Sequence, residues 1–202
     1  MKASIISCDP PWAFSDKLKQ SKTKRGAESN YNTMTIDEIK ALDIASISED
    51  DAILALWCPS SLLQEGLDVM KVWGFKFKQT VIWVKTKKNP EAQKIANYKE
   101  FEKILAFGMG HLFRNTHEIC LIGTRGKVSK KILNKSLRTV FFHPATKHSQ
   151  KPELFQDMLE QLMDGLKIEI FARRERENWV CLGNECPSTF GEDIKDSLIN
   201  LQ

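Results

Sequence analysis

A chain of 202 residues, 42% of them hydrophobic, has the length and apolar content of one globular domain with a substantial core. No apolar run approaches the ~20 residues that a bilayer span needs. The N-terminus enters an apolar stretch without a charged leader, so a cytoplasmic protein with no signal peptide and no membrane partner is expected. Five cysteines without C-x-x-C spacing and four histidines without ligand spacing argue for reduced, buried thiols and for no metal.

The chain opens on Ser4-Ile5-Ile6-Ser7-Cys8-Asp9-Pro10-Pro11-Trp12. Ile5 and Ile6 read as part of a buried strand, and the two prolines forbid its continuation as a helix. Pro11 also holds Pro10 extended, so a stiff corner is expected at a strand's carboxyl end, where open α/β sheets place their ligands. Neither proline has an N–H, which leaves nearby carbonyls free to point outward beside the Asp9 carboxylate. Two such acceptors suit an NH₂ group, such as adenine N6, and Trp12 offers a flat face for the ring that carries it. The same four residues equally describe a strand-ending turn with an incidental acid and a core tryptophan.

Residues 13–30 are polar, carrying Lys17, Lys19, Lys22, Lys24 and Arg25 against Asp16 and Glu28. A loop of this length inside a compact domain is functional or disordered. It ends at Tyr31-Asn32-Thr33-Met34, after which Thr35 and Glu38 have capping-box spacing for a helix to about Leu42. Residues 52–57 (Ala-Ile-Leu-Ala-Leu-Trp) read as a second buried strand. Pro59 and Ser60 then open a helix with Leu62, Leu63, Leu67 and Met70 on its apolar face, stopped by Gly74. A strand is expected over 75–85, a helix over 98–107 whose Phe101, Leu105 and Phe107 either cover the fold or face a partner, and strands over 118–123 and 139–142. Trp57 and Trp83 are expected in the core. Lys151-Pro152 begins a helix with proline at its first position, its buried stripe being Phe155, Met158, Leu159 and Leu162. Gly165 ends it, and a strand follows over 167–171, on which Glu169 alternates outward from Ile168 and Ile170. Alternating strands and helices indicate α/β with a mainly parallel sheet and helices on both faces.

The net charge of +4 is unevenly spread. Between Gly123 and Lys151 stand Arg125, Lys127, Lys130, Lys131, Lys135, Arg138, Lys147 and Lys151 with no acid among them. Together with the run after the corner, these are either solvated loops or a surface that tracks phosphates.

Asp9-Pro10-Pro11-Trp12 resembles the signature of S-adenosylmethionine-dependent N6-adenine methyltransferases, a family with both RNA and DNA enzymes. The resemblance extends to Tyr31-Asn32-Thr33-Met34, Leu56-Trp57, Ile82-Trp83-Val84-Lys85 and His117-Glu118-Ile119-Cys120-Leu121. It closes with Gln150-Lys151-Pro152, Lys167-Ile168-Glu169-Ile170-Phe171, and Asn178-Trp179 through Leu182-Gly183-Asn184. These blocks run in family order over roughly residues 3–186. The resemblance implies a Rossmann-like methyltransferase fold of permuted (β-type) motif order, because the Asp9 block precedes the Lys-Pro helix and the cofactor strand. It also implies a single domain over 1–202, with flexible basic loops near 13–30 and 124–150 and a loose C-terminal tail over 187–202.

By the same resemblance, Asp9, Pro10, Pro11 and Trp12 form the catalytic corner. Trp12, Tyr31, Asn32, Ser149 and Lys151 meet the substrate, and Cys8, Asp9, Lys151, Glu169, Phe171, Arg173, Asn184 and Glu185 meet S-adenosylmethionine. The family's usual glutamine after Asn184 is Glu185 here, and a histidine expected two positions after Arg173 is Glu175. Only eight residues precede Asp9, so another group, with Glu185 the candidate, has to hold the cofactor's adenine amine. The basic residues Lys17, Lys19, Lys22, Lys24, Arg25, Arg125, Lys127, Lys130, Lys131, Lys135 and Arg138 are assigned to the nucleic-acid backbone. The expected activity is methyl transfer to adenine N6 in nucleic acid, with DNA favoured over RNA and with a homodimer or a second methyltransferase-fold subunit as partner. A non-catalytic nucleic-acid-binding subunit of the same fold is the competing class. An N-methyltransferase acting on a small molecule or a protein is the other.

Overall fold

The computed structural model describes residues 1–13, 33–88, 98–108, 112–145, 150–183, 186 and 193–202. The central strand is β1 (Ala3–Cys8), all six of whose residues are buried. It lies parallel between β2 (Ser48–Cys58) and β6 (Lys167–Ile170), with Ile6 opposite both Leu54 and Ile168. Strand β7 (Trp179–Leu182) extends the sheet in parallel beyond β6. On the other side β4 (His117–Arg125) pairs antiparallel with β2 and with β3 (Lys76–Thr86). Strand β5 (Val140–Pro144) pairs parallel with β3, giving seven strands in the order β5-β3-β4-β2-β1-β6-β7. Among the described residues only β4 runs against the rest, so the sheet is mainly parallel, as its apolar strands require.

Two cores flank the sheet. On one face Ile6, Leu54, Leu56, Leu121 and Ile168 lie beneath α1 (Ile36–Lys40), α2 (Leu63–Val72) and α5 (Ile194–Leu201), which contribute Ile39, Val69, Met70 and Leu198. On the other, Ile5, Ile53, Ala55, Trp57, Trp83 and Cys120 meet Phe155 and Leu159 of α4 (Glu153–Leu162). The expected capping box is present: Thr35 Oγ1 accepts from Glu38 N–H, and the Glu38 carboxylate accepts from Thr35 N–H. Helix α2 is preceded by a 3₁₀ turn (Ser60–Leu62) and leaves Leu63 42% exposed, so its buried face is Gly66, Val69 and Met70. It stops where Gly74 takes φ 82°, a left-handed conformation that favours glycine.

Several expectations are corrected. Helix α3 (Tyr98–Ile104) ends before 107, because Leu105 bridges Thr86 and Ala106 N–H donates to Lys85 O. Its Phe101 covers the fold, edge-on to Phe142 at 5.7 Å, whereas Phe107 stays exposed. Much of the loop expected over 124–150 is structured: Val128–Lys130 forms a 3₁₀ turn, Ile132 bridges Met163, and β5 follows. Pro152 is the extended N-cap of α4, one position earlier than the spacing implied. The tail expected loose is helix α5 over its last turns, capped by Asp193, with Ile194, Leu198 and Leu201 at i, i+4 and i+7 buried in the first core. That spacing is one helical stripe, and burying it holds the terminus down.

Leu198→Ala is therefore expected to cost about 2–4 kcal/mol in urea unfolding. Ile199→Ala, at a side chain 64% exposed, should change stability by less than about 0.5 kcal/mol. Equal effects at the two positions would show that α5 is not docked.

Candidate active site

Side chains alternate along strands, so every second residue faces α4. Those residues are Ile5 and Ser7 on β1, Trp57 on β2, Trp83 and Lys85 on β3, Cys120 and Glu118 on β4, and Lys167 and Glu169 on β6, with Asp9 next in line beyond β1. Toward the carboxyl end of the parallel strands this row changes from apolar to charged, ending in Lys85, Glu118, Asp9 and Glu169. It lies where the chain switches direction across the sheet, since β1 leads to β2 on one side while β6 leads to β7 on the other. This is the ligand-binding position of an open α/β sheet.

Lys151, in the segment before α4, enters this row from above. Its Nζ lies 2.7 Å from Asp9 Oδ2 and 3.2 Å from Glu118 Oε2, with its side chain only 10% exposed. Lys85 forms a salt bridge with the other oxygen of Glu118, so positive and negative groups alternate from Lys85 through Glu118 and Lys151 to Asp9. The two ammonium groups also lie over indoles, Lys85 5.0 Å from the Trp83 ring and Lys151 5.4 Å from Trp57. Burial raises the Asp9 pKa above the ordinary carboxylate range, although Lys151 opposes it. Burial alone would pull Lys151 down, but Asp9 and Glu118 together hold it above the usual lysine value. Glu118 ends below its ordinary value, because the two lysines outweigh its burial.

The corner is anchored differently from the expectation. Pro10 O accepts from Trp12 N–H at 2.9 Å and Pro11 O accepts from Met34 N–H at 2.8 Å, so neither carbonyl is free of local bonding. Prolines remove their own donors, but Trp12 lies two residues on and turns its N–H back. Each carbonyl retains a second lone pair. Trp12 is only 4% exposed, packed in the first core, with Nε1 donating to Trp57 O at 3.0 Å. Its expected stacking face is thus core surface, and its visible role is to fix the corner to β2. The Cys8 side chain, expected at the cofactor, is likewise fully buried in that core.

A concavity beside this corner is lined by Asp9, Gln150, Lys151, Glu169, Phe171, Arg173 and Arg174. Of the residues assigned to the cofactor, Lys151, Glu169, Phe171 and Arg173 come together there with Asp9. Phe171 follows β6 with φ 64°, which is strained for a bulky side chain. The turn is locked by Ala172 N–H donating to Leu182 O at 2.8 Å. A Cβ on Gly183 would lie 2.1 Å from Ala172 O, so only glycine permits this approach. Glu169 accepts from Gln156 Nε2 at 3.0 Å, and Arg174 binds Glu153 at 3.1 Å. Burial pushes the Glu169 pKa up to about 7, against the opposing pull of Arg174 and Gln156. Cations beside carboxylates and one aromatic wall form a donor and acceptor set that suits a zwitterionic amino-acid moiety.

Tyr31, Asn32, Ser149, Asn184, Glu185, Lys17, Lys19, Lys22, Lys24 and Arg25 lie outside the described residues. The basic run after β4 is brought elsewhere. Because β4 is antiparallel, Arg125 lies at the opposite end of the sheet from Glu118, roughly 23 Å along the strand at ~3.3 Å per residue. At that far end Arg125 donates to Ala45 O, Lys127 N–H to Asp51, and Lys131 pairs with Glu49 at 3.3 Å. Lys130 belongs to the 3₁₀ turn between them, whereas Lys135 and Arg138 are exposed nearer to β5. Sequence reasoning missed Lys85, Glu118, Gln150, Gln156 and Arg174. The parity of Glu118 with Cys120 and Ile122 was a usable signal, the same one that marked Glu169.

The family model MT-A70 matches residues 3–185. An N(6)-adenosine-methyltransferase MT-A70-like protein of Drosophila melanogaster is 30% identical over 189 residues, covering 91% of this chain and 27% of that protein. The human N(6)-adenosine-methyltransferase catalytic subunit METTL3 is 29% identical over 91% of this chain and 28% of its own length. The chain thus spans little more than a quarter of these two relatives. The type II methyltransferase M.MunI of a Mycoplasma species is 25% identical over 92% of this chain and 78% of its own.

The raised pKa of Glu169 has a sign that can be tested. Its folded pKa near 7 exceeds the ordinary value of 4.5, so the ionised form is disfavoured on folding and stability is lost as pH rises between the two. Glu169→Gln should raise the melting temperature at pH 8 by a few degrees relative to wild type, with the gain vanishing near pH 4.5. A pH-independent difference in thermal melts would contradict this origin.

Proposed function

Since the chain belongs to the MT-A70 family, we propose that it transfers a methyl group from S-adenosylmethionine to N6 of adenine in a nucleic acid. The observation that carries this reading is the meeting of Asp9, which leads into the proline corner, with Lys151, Glu169 and Phe171 in one concavity at the switch point of the sheet. When bound, S-adenosylmethionine supplies an electrophilic methyl on a sulfonium. Lys151 and Arg173 fit its carboxylate, Glu169 its ammonium or ribose hydroxyls, and Phe171 its apolar flank.

For the substrate, Asp9 and the second lone pair of Pro10 O are the acceptors for the two N6 hydrogens. Lys151 occupies Asp9 Oδ2, which leaves Oδ1 for the amine and favours the charged carboxylate against its burial. Holding both hydrogens directs the nitrogen lone pair, so positioning and electrostatics supply most of the rate. Asp9 need not be a strong base, because the departing proton becomes acidic only once the nitrogen is alkylated. Tyr31 and Asn32 follow the corner in sequence and take the base contact that the buried Trp12 does not offer.

DNA is favoured over RNA in this proposal, supported by the match to 78% of the type II methyltransferase M.MunI and by Gln150-Lys151-Pro152, which resembles bacterial DNA amino-methyltransferases. A target within a duplex has to be flipped out at a cost of about a few kcal/mol.

Labelled methyl transfer onto matched single-stranded DNA, duplex DNA and RNA, followed by nucleoside mass analysis, should yield N6-methyladenosine or its deoxy form. Asp9→Ala should lower the rate by about 10²–10³-fold or more while leaving measurable S-adenosylmethionine binding in calorimetry. Binding of nucleic acid without transfer by the wild type would favour the non-catalytic class.

The phosphate contacts are assigned to Lys17, Lys19, Lys22, Lys24 and Arg25, which follow the corner directly, rather than to the far-end lysines. Neutralising Lys127, Lys130 and Lys131 together should leave the salt dependence of DNA binding unchanged. Neutralising Lys17, Lys19 and Lys22 should flatten the slope by roughly 0.7–0.9 per lysine. The reverse pattern would move the nucleic acid to the other end of the sheet.

A further inference from the structure

The buried face of α4 is apolar at Phe155 and Leu159, but between them Gln156 is also only 1% exposed. Burying an amide is unfavourable unless its groups are satisfied, and this one is half satisfied. Its Nε2 donates to Glu169 Oε1 at 3.0 Å, while its Oε1 has no hydrogen-bond partner among the described residues. A leucine or methionine would fill the same space without the orphaned acceptor, so packing alone does not call for glutamine. What the amide adds is one hydrogen bond, aimed at a carboxylate that lines the concavity.

We propose that Gln156 is a positioning residue that ties one oxygen of Glu169 to α4 and leaves the other for the ligand of the concavity. An amide has a donor at one end and an acceptor at the other. It therefore holds Glu169 in both protonation states: Nε2–H donates to the carboxylate, and the amide turned over accepts the O–H of the neutral acid. One end of the amide is idle in either state, which accounts for the orphaned Oε1. The groups facing Glu169 are Gln156 from α4, Arg174 and Arg176 beyond β6, Asp9 beyond β1, and the Cys181 thiol opposite it on β7. Burial favours the neutral acid, and the Gln156 bond and the arginines favour the charge. Removing the donor therefore moves the titration of Glu169 upward. This inference rests on the proposed reading of the concavity as the S-adenosylmethionine pocket, in which Glu169 binds ammonium or hydroxyl groups as the ionised carboxylate.

The test uses the full chain as wild type, Gln156→Met and Gln156→Leu, two replacements of similar volume in case one fails to fold. Carbon-13 titration of the Glu169 carboxyl without cofactor should move up by about 1 pH unit in both variants, the size expected of a hydrogen bond to a charged group. Calorimetry with S-adenosylmethionine should show a roughly fivefold weaker affinity at pH 7 that approaches the wild-type value as pH rises past the new midpoint. A folded variant with an unmoved Glu169 midpoint, or a loss of affinity equal at every pH, would reduce Gln156 to a packing residue and overturn the inference. A wild type that binds no S-adenosylmethionine while the Glu169 midpoint still moves would overturn the pocket reading instead.

Discussion

The carboxyl end of the sheet depends on one buried ammonium. Lys151 enters among Trp57, Asp9 and Glu118, and a cation so placed is tolerable only if carboxylates meet it. Asp9 and Glu118 do so from strands on either side of β2, one ending its strand and one beginning an antiparallel one. Removing one partner of a buried ion pair typically costs about 3–5 kcal/mol, because it strands the other charge. The charges fall together because the strands alternate with period two over an apolar core, so that whatever follows the last apolar residue on the α4 face is delivered to the same rim.

This arrangement gives Asp9 its chemistry. A carboxylate near the core drifts toward its neutral form, and the lysine opposes that drift while consuming one oxygen. The remaining oxygen lies beside a proline corner whose backbone is fixed by Trp12, Met34 and Ile170. Rigidity therefore comes from hydrogen bonds made by the corner's neighbours, not from the prolines alone. On the opposite wall, the strained Phe171 turn and the close approach of Gly183 hold the end of β6 in place.

Much of this was legible in the sequence because it is local. The strand-to-proline corner, the Thr35–Glu38 box, the helix after Lys151-Pro152 and the facing of Glu169 all follow from short-range rules. What was not legible depends on partners distant in the chain. Lys151 meets Asp9 across 142 positions, and no spacing rule announces such a pair. The direction of β4 decides whether the run from Arg125 to Lys131 faces the ligand or the far end, and an apolar strand reads the same in either direction. Trp12 looked like a stacking surface because its burial beneath residues 34–39 is a tertiary fact. Helix α5 is different: its stripe of Ile194, Leu198 and Leu201 was visible and was overlooked.

The central claim is that the rim formed by Asp9, Lys151, Glu169 and Phe171 is where the methyl donor meets its acceptor. A crystal structure of the chain with S-adenosylhomocysteine tests it directly. The account predicts the amino-acid end of that molecule among Lys151, Glu169 and Arg173, with its sulfur directed toward Asp9. Density for it at any other place on the chain, or a sulfur turned away from Asp9, would contradict the account.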